Sequence, residues 1–546
     1  MSTPLTHSQR LTRLQVRIDE LGHWLVRAAR DLTAWHAGGS PLALGDPWPA
    51  GGELVRLDHG PVDVPAGWPL EETFLDLDLG GEGLVHLRYE DGAEEGFGHD
   101  PNHRRYALRG RRFAIEGEVV ARLPFGQPVP DPRLRRARLV RVEPDLARLH
   151  RRLRLVAETV AALPQHEVAG PLLSAAERSL AALRWPSETA AYLSRIADDP
   201  EQRVLWSRPP GLEPAPPGLD DDALASVGES LAILNRRLQG LRGAHPKHGS
   251  VVLTGHAHLD LAWLWPVDET RRKARRTFHT ALAQLDRHPE MTFNQSTAQL
   301  YAWLEEDDPE LLRRIAGRVA EGRWEPVGGM WVEPDTNLPT GESLARQLLY
   351  GQRYFQRAFG ACHRVAWLPD CFGFSPALPQ LLRLAGIDGF LTIKVTWSET
   401  NRFPHDLFWW EGLDGSRVLA HLFDNPHGGY NGEPGPRSLV DVWRNFRGKE
   451  AHPETLLSIG YGDGGGGSTE GMLEDAADTE LLPVVPAARF GRVDELFGRL
   501  RTGAEHSALP TWTGELYLEL HRGTLTSQGR TKRLHRRAER ALLAAE

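Results

Sequence analysis

Apolar and polar positions change period several times along this chain, and each change marks a region. Leu11, Leu14, Ile18, Leu21, Leu25 and Ala28 recur at helical spacing with charges between them, predicting an amino-terminal helix region over 1–36. From about Gly38 to Pro130 the period shortens: Leu75, Leu77 and Leu79 alternate with Asp76 and Asp78, and turns such as Asp91-Gly92 separate short strands. A small β-domain over 37–135 is the expectation. Helical patterning returns from Glu143 to about Gly243, interrupted by the proline-rich Pro209 to Gly218, which reads as a linker or surface loop within a helical linker region over 136–249.

From Ser250 onward, strand-like apolar runs alternate with amphipathic helices. The runs are VVLTG, Met291 to Ser296, Glu325 to Glu333, Val365 to Leu368, Phe390 to Val395, Val418 to Phe423 and Leu456 to Gly462, and Leu312, Ile315 and Val319 mark one helical face between two of them. Such alternation predicts an α/β fold with a parallel sheet, open or closed into a barrel, over 250–505. Chemistry collects at the carboxyl ends of strands in such folds, and the polar clusters of this chain fall there. A helical segment over 506–546 follows.

Composition narrows the class. At 546 residues the chain exceeds one hydrophobic core. It has 40% hydrophobic and 25% charged residues, and no apolar run long enough to cross a bilayer. A globular protein without membrane association is predicted, and the amino terminus lacks the apolar centre of a secretion signal. Two cysteines, Cys362 and Cys371, exclude a disulfide framework and fit a reducing cytoplasm. A net charge of -9 argues against a nucleic-acid partner, the basic stretch from Arg133 to Arg154 reading as the solvated side of a helix.

The chemistry-bearing residues sit in short motifs. His256, His258 and Asp260 alternate along an extended segment, so their side chains are expected on one side, with the nitrogen and oxygen donors that zinc favours. Asp335 follows GGMWVEP, where neighbouring glycines allow close approach of a ligand; alone it would serve as a helix cap. Asp463 lies in GYGDGGGGST, which lacks the lysine of a phosphate-binding P-loop. A metal site with two loop carboxylates fits glycoside hydrolysis.

The ordered motifs GHAHLDLAWLW, VGGMWVEPDTNLPTGESLARQLLYGQRYF, WLPDCFGFSPALPQLL, GYGDGGGGST and ELYLELHRGT resemble glycoside hydrolase family 38, the α-mannosidases, and most of all its cytosolic-type branch. The resemblance runs from about Ser250 to Arg530, with a weaker likeness around GEGLVHLRYEDG. It implies a catalytic α/β-barrel, a helical bundle beginning near 506, and a zinc ion, or Co2+ or another divalent ion, held by His258, Asp260, Asp335 and His521. Asp335 is also the implied nucleophile and Trp263 the floor of the sugar pocket. Asp463 matches the acid/base region, but other branches carry that aspartate one residue later, where this chain has Gly464; Asp370 is the alternative acid or a group orienting the site.

The implied function is zinc-dependent, retaining removal of terminal α-linked mannose from oligosaccharides. Two other readings are a metal-dependent amidohydrolase, which would need histidines such as His421 and His427 at later strand ends, and a non-catalytic sugar-binding protein. Family members continue into β-domains beyond the bundle, which are missing here. Leu534, Ala538 and Leu542 then form an apolar stripe without a partner, which predicts a homo-oligomer and weak turnover.

Overall fold

The structure, a computed structural model, describes residues 5–50, 53–185 and 219–546. The proline-rich segment from Pro209 to Gly218 lies outside the described residues. The first helix, His7–Gly22, opens on a capping box in which the Thr6 side chain and Gln9 satisfy each other's backbone N–H groups. It ends earlier than the spacing of Leu25 and Ala28 predicts. Gly22 is a poor helix former, and the residues after it form a strand, Val26–Asp31, that pairs with Arg136–Val142.

That pair belongs to a four-stranded antiparallel sheet completed by Thr73–Asp78 and Arg105–Ala107. A six-stranded antiparallel sheet faces it, in the order Ser40–Leu42, Trp35–Ala37, Val55–Asp63, Arg112–Val120, Glu82–Tyr89, Glu94–His99. Leu75, Leu77 and Leu139 of the first sheet share one core with Leu57, Val85 and Ile115 of the second. The aspartates that alternate with those leucines are not left to water: buried Asp76 is paired with Arg136 at 2.9 Å and Arg138 at 3.0 Å.

The basic stretch is therefore not a solvated face. Besides Arg136 and Arg138, Arg151 and Arg152 meet Asp478 at 2.7 and 2.8 Å, and Arg154 meets Asp475. These pairs tie the helix Pro144–Ala162 to the helix Glu470–Thr479. A long-range acidic partner is not readable from local charge pattern.

The helices Pro144–Ala162, Ala169–Leu180 and Asp221–Ala244 pack with the first helix, and their core is continuous with that of the parallel strand Ser250–Gly255. The sandwich docks through the strand Glu94–His99 on the helix Val267–Arg287. Glycine is required there: a Cβ on Gly96 would lie 2.5 Å from His279 Nδ1, and one on Gly98 would lie 2.9 Å from Thr280 Oγ1. Beside this contact Glu82 accepts from the buried Lys273 at 2.7 Å and from Arg276 at 3.0 Å.

The α/β part is two sheets and not one closed ladder. The first is parallel throughout: Trp324–Pro326, Phe293–Gln295, Ser250–Gly255 and Glu454–Ile459, with Ala487–Phe490 also on Ser250–Gly255. The second runs Val365–Trp367, Gly389–Thr392, Arg417–Leu422, Leu407–Glu411, Thr511–Thr513. Leu407–Glu411 and Arg417–Leu422 are antiparallel, joined by a turn in which Gly415 has a positive φ. A mixed α/β fold is what the hydrogen bonding draws; the expected closed parallel barrel is not.

The last helix, Gly529–Ala545, is pinned by Glu539, whose carboxylate accepts from Thr340 N at 2.8 Å and Ser343 Oγ at 2.6 Å. Leu534 and Leu542 on it are exposed. Among the described residues no helix is long and apolar enough to cross a membrane.

Candidate metal and sugar site

The strand Ser250–Gly255 delivers an irregular segment, His256 to Asp260, to the carboxyl edge of the first sheet. The three polar side chains do not share one side. His256 is fully buried: its Nδ1 lies 3.1 Å from Asn294 O, and Trp367 Nε1 donates to its Nε2 at 3.4 Å. Burial, then the nearby His258, pushes its pKa down to about 3, so it is a neutral packing group beneath the site.

His258 is the centre. Its Nε2 stands 3.4 Å from Asp260 Oδ1 and 3.6 Å from Asp370 Oδ2, and its Nδ1 stands 3.4 Å from Glu333 Oε2. Both ring nitrogens are buried without a hydrogen-bond partner of sound geometry. Burial alone would lower its pKa, but Glu333 first, then Asp260 and Asp370, more than offset this and raise it well above the ordinary value. Ligand atoms of His258, Asp260 and Asp370 lie within 4.8 Å of one another, a spacing and donor set that one divalent ion fits. Orphaned buried nitrogens facing carboxylates are costly unless something satisfies them.

Asp370 is the residue that the sequence offered as an alternative acid or as a group orienting the site. Burial favours its neutral form, yet the His258 contact and the Lys394 ammonium, 2.5 Å from Oδ1, bring its pKa down to about 2. A carboxylate that stays ionised is suited to a cation and not to donating a proton. Lys394 is buried, and its ammonium stands 3.9 Å from the centroid of the Trp397 ring. Glu333, inside the WVEPD motif but given no role by the sequence, is held by Ser296, whose hydroxyl donates to Oε1 at 2.5 Å; burial raises its pKa.

Asp463 closes the site from the glycine loop. Its backbone has φ +63°, and its Oδ1 accepts from Tyr430 Oη at 2.5 Å. Its carbonyl accepts from Asp260 N at 2.9 Å, and Gly465 N donates back to His258 O at 3.2 Å, so the loop is laced to the segment that carries His258 and Asp260. Burial raises the Asp463 pKa, Asp370 and Asp260 adding to it, against the Tyr430 hydrogen bond and His258. Neighbouring carboxyls are thus driven apart, Asp370 down and Asp463 up, as an acid and a permanent anion require.

Two of the expected ligands do not join the cluster. Asp335 is exposed, and its Oδ1 accepts from Asn337 N at 2.7 Å and Leu338 N at 3.0 Å, closing a turn; the helix that follows, Gly341–Phe359, is capped by Thr340 and not by Asp335. His521 is exposed with φ +56°, its ring 4.7 Å from that of Phe372; burial and Lys394 lower its pKa, while Asp370 raises it. Trp263 is 55% exposed, 5.9 Å from the Phe125 ring. His421 is engaged with Asp406 O at 3.1 Å and Thr455 at 3.3 Å, and His427 with Asp441 at 2.6 Å; neither joins the cluster.

The glycosyl hydrolases family 38 N-terminal domain matches residues 248–515, which contain the whole cluster. Alpha-mannosidase G of Dictyostelium discoideum is 44% identical over 292 residues, 54% of this chain and 26% of that one. Human Alpha-mannosidase 2C1 is 41% identical over 316 residues, 58% of this chain and 30% of that one. A crystal structure of an alpha-mannosidase from Enterococcus faecalis V583 aligns over 49% of this chain and 31% of that chain, with 20% identity and a TM-score of 0.41. The chain spans less than a third of the length of these curated relatives. Residues 248–515, just under half of the chain, are thus similar to the glycosyl hydrolases family 38 N-terminal domain.

Proposed function

We propose that the chain carries a metal-dependent, retaining α-mannosidase site acting on terminal α-linked mannose of oligosaccharides. The observation that carries this reading is the donor set of buried His258 with half-buried Asp260 and Asp370, hydrogen-bonded through Asp260 N to Asp463, in a family 38 domain whose relatives are named alpha-mannosidases. As they stand, those three residues would hold the ion; Asp335 and His521 are the further ligands that the family pattern implies. When bound, zinc, or another divalent ion such as cobalt, supplies a Lewis acid for vicinal sugar hydroxyls.

The protein's own groups perform the proton and bond changes. Asp335 is the proposed nucleophile: its carboxylate attacks the anomeric carbon as the bond to the leaving oxygen breaks. Asp463, whose pKa burial raises, gives its proton to that oxygen and later takes one from the water that releases mannose. Two displacements return the original anomeric configuration. The Tyr430 hydroxyl fixes the Asp463 carboxyl, and Lys394 fixes that of Asp370. The proposed setting is a reducing cytoplasm, since Cys362 and Cys371 are both free thiols.

Hydrolysis of p-nitrophenyl α-mannoside with and without chelator tests the reading. Activity lost to chelator and restored by zinc or cobalt is expected. Chelator-insensitive hydrolysis would overturn metal dependence, and sugar binding without hydrolysis would favour a non-catalytic role.

A further inference from the structure

The family domain begins at residue 248, yet one wall of its site comes from the amino-terminal sandwich. The turn Leu123 to Gln127 is closed by Leu123 N donating to Gln127 O at 2.9 Å and Gly126 N donating to Leu123 O at 2.8 Å. It is wedged between the two site loops. A Cβ on Gly126, which also has φ +79°, would lie 2.4 Å from Leu264 O, four residues beyond Asp260. On the other side a Cβ on Gly464, next to Asp463, would lie 2.2 Å from Pro124 O. The same carbonyl accepts from Lys273 Nζ at 2.9 Å, a side chain with no exposure, so the turn is locked at its centre.

This anchoring fixes Phe125 in place. Its ring meets that of Trp263 at 5.9 Å with a 69° interplanar angle, and the two remain 40% and 55% exposed. Trp263 follows Asp260 by three residues, a reach of about 10 Å at most. Phe125, on a turn with glycine and proline where the chain cannot adjust, is thus held edge-on against a residue three positions from the donor set, and an aromatic pair left this exposed is a poor stabiliser of the fold. Such a pair does suit the apolar C–H face of a pyranose ring, which polar walls bind weakly.

We propose that Phe125, edge-on to Trp263 and on the turn that packs against the Asp463 loop, forms an aromatic platform that binds a second sugar ring of the substrate, on the leaving-group side of the mannose that Trp263 floors. The inference rests on the mannosidase reading. It makes the amino-terminal sandwich part of the specificity apparatus, with Pro124 and Gly126 as the positioning residues of the turn.

The test compares Phe125→Ala, Phe125→Tyr and, as a control on the same turn, Leu123→Ala. KM and kcat are measured for p-nitrophenyl α-mannoside and for an α-linked mannotriose, and binding of mannose and of the trisaccharide is measured by calorimetry. Removing one aromatic partner should weaken trisaccharide binding and raise its KM about 3- to 10-fold, with mannose binding and kcat unchanged. Phe125→Tyr should restore the wild-type values, and Leu123→Ala should match wild type. Equal effects on mannose and trisaccharide, or none on the trisaccharide, would overturn the platform while leaving the mannosidase reading intact. A wild-type protein that neither binds nor cleaves any mannoside would overturn both.

Discussion

Glu333 is the group through which the metal reading is most sharply tested. It stands 3.4 Å from His258 Nδ1, on the side of the ring opposite Asp260 and Asp370. With Ser296 fixing its other oxygen, it presents an acceptor that keeps the proton on Nδ1 and leaves the Nε2 lone pair for an ion. Loss of such a support costs about 10- to 100-fold in metal affinity, which is about 1.4 to 2.8 kcal/mol. The separation exceeds that of a tight charge-assisted hydrogen bond, so the lower end applies while an acceptor remains. Glu333→Gln keeps the volume and an amide oxygen and should weaken zinc about tenfold; Glu333→Leu removes the acceptor and should approach the hundredfold figure. Competition against a chromophoric chelator gives the affinities, and the visible spectrum of the cobalt form reports whether the ligand field survives. Thermal melts of metal-free protein show whether the variants fold. Folded variants that both bind zinc as tightly as wild type would refute the argument, because His258 would then need no support on Nδ1.

Gly464→Ala should destabilise by about 1–3 kcal/mol, read as a lower denaturation midpoint, since its Cβ must displace the Pro124 carbonyl; an unchanged midpoint would mean that the turn is not seated there. Burial pushes Glu325 up to about 7 from 4.5, so the folded state holds that proton more tightly, and the stability it adds is full below 4.5 and lost as pH rises through 7. The difference is about 3 kcal/mol, and comparing melts of wild type and Glu325→Gln between pH 4.5 and 8 should show it in wild type only. Asp335→Ala should remove turnover for every substrate, whereas Asp463→Ala should lose about 10²- to 10⁴-fold on poor leaving groups and much less on a dinitrophenyl mannoside. Equal losses on both substrates for Asp463→Ala would place the acid elsewhere.

How much of this was legible in the sequence depends on the range of each contact. Alternation of strand and helix after Ser250 was local and readable; the pairing of Leu407–Glu411 against Arg417–Leu422, which makes the second sheet mixed, depends on a turn that periodicity does not register. His258 and Asp260 could be found because two ligand types alternate within five residues. Asp370 could be found only as a carboxylate after a strand, since its ionised state comes from Lys394, 24 positions on. Lys394 and Tyr430 left no local signal, because a buried lysine in a run of β-branched residues looks like the end of a strand. The arginines from Arg133 to Arg154 failed for the same reason: Arg136 and Arg138 pair with Asp76 on another strand, and Arg151, Arg152 and Arg154 with Asp475 and Asp478, more than 300 residues away.

The position of the proposed acid, Asp463, follows from the same long-range logic. Sequence comparison within the loop GDGGGG leaves open whether a carboxyl belongs at 463 or at 464. The fold supports 463, because the slot that a side chain at 464 would need is occupied by the carbonyl of Pro124, held there by buried Lys273. Asp463 accepts an uncommon left-handed backbone, φ +63°, and in exchange meets the Tyr430 hydroxyl while its carbonyl secures Asp260 N. A chain carrying the aspartate one residue later would have to vacate that slot, and so would need a different wall at this point. Where the proposed proton donor sits and which domain closes the site are therefore one structural decision, made by a turn that lies more than 300 residues from the loop it restrains.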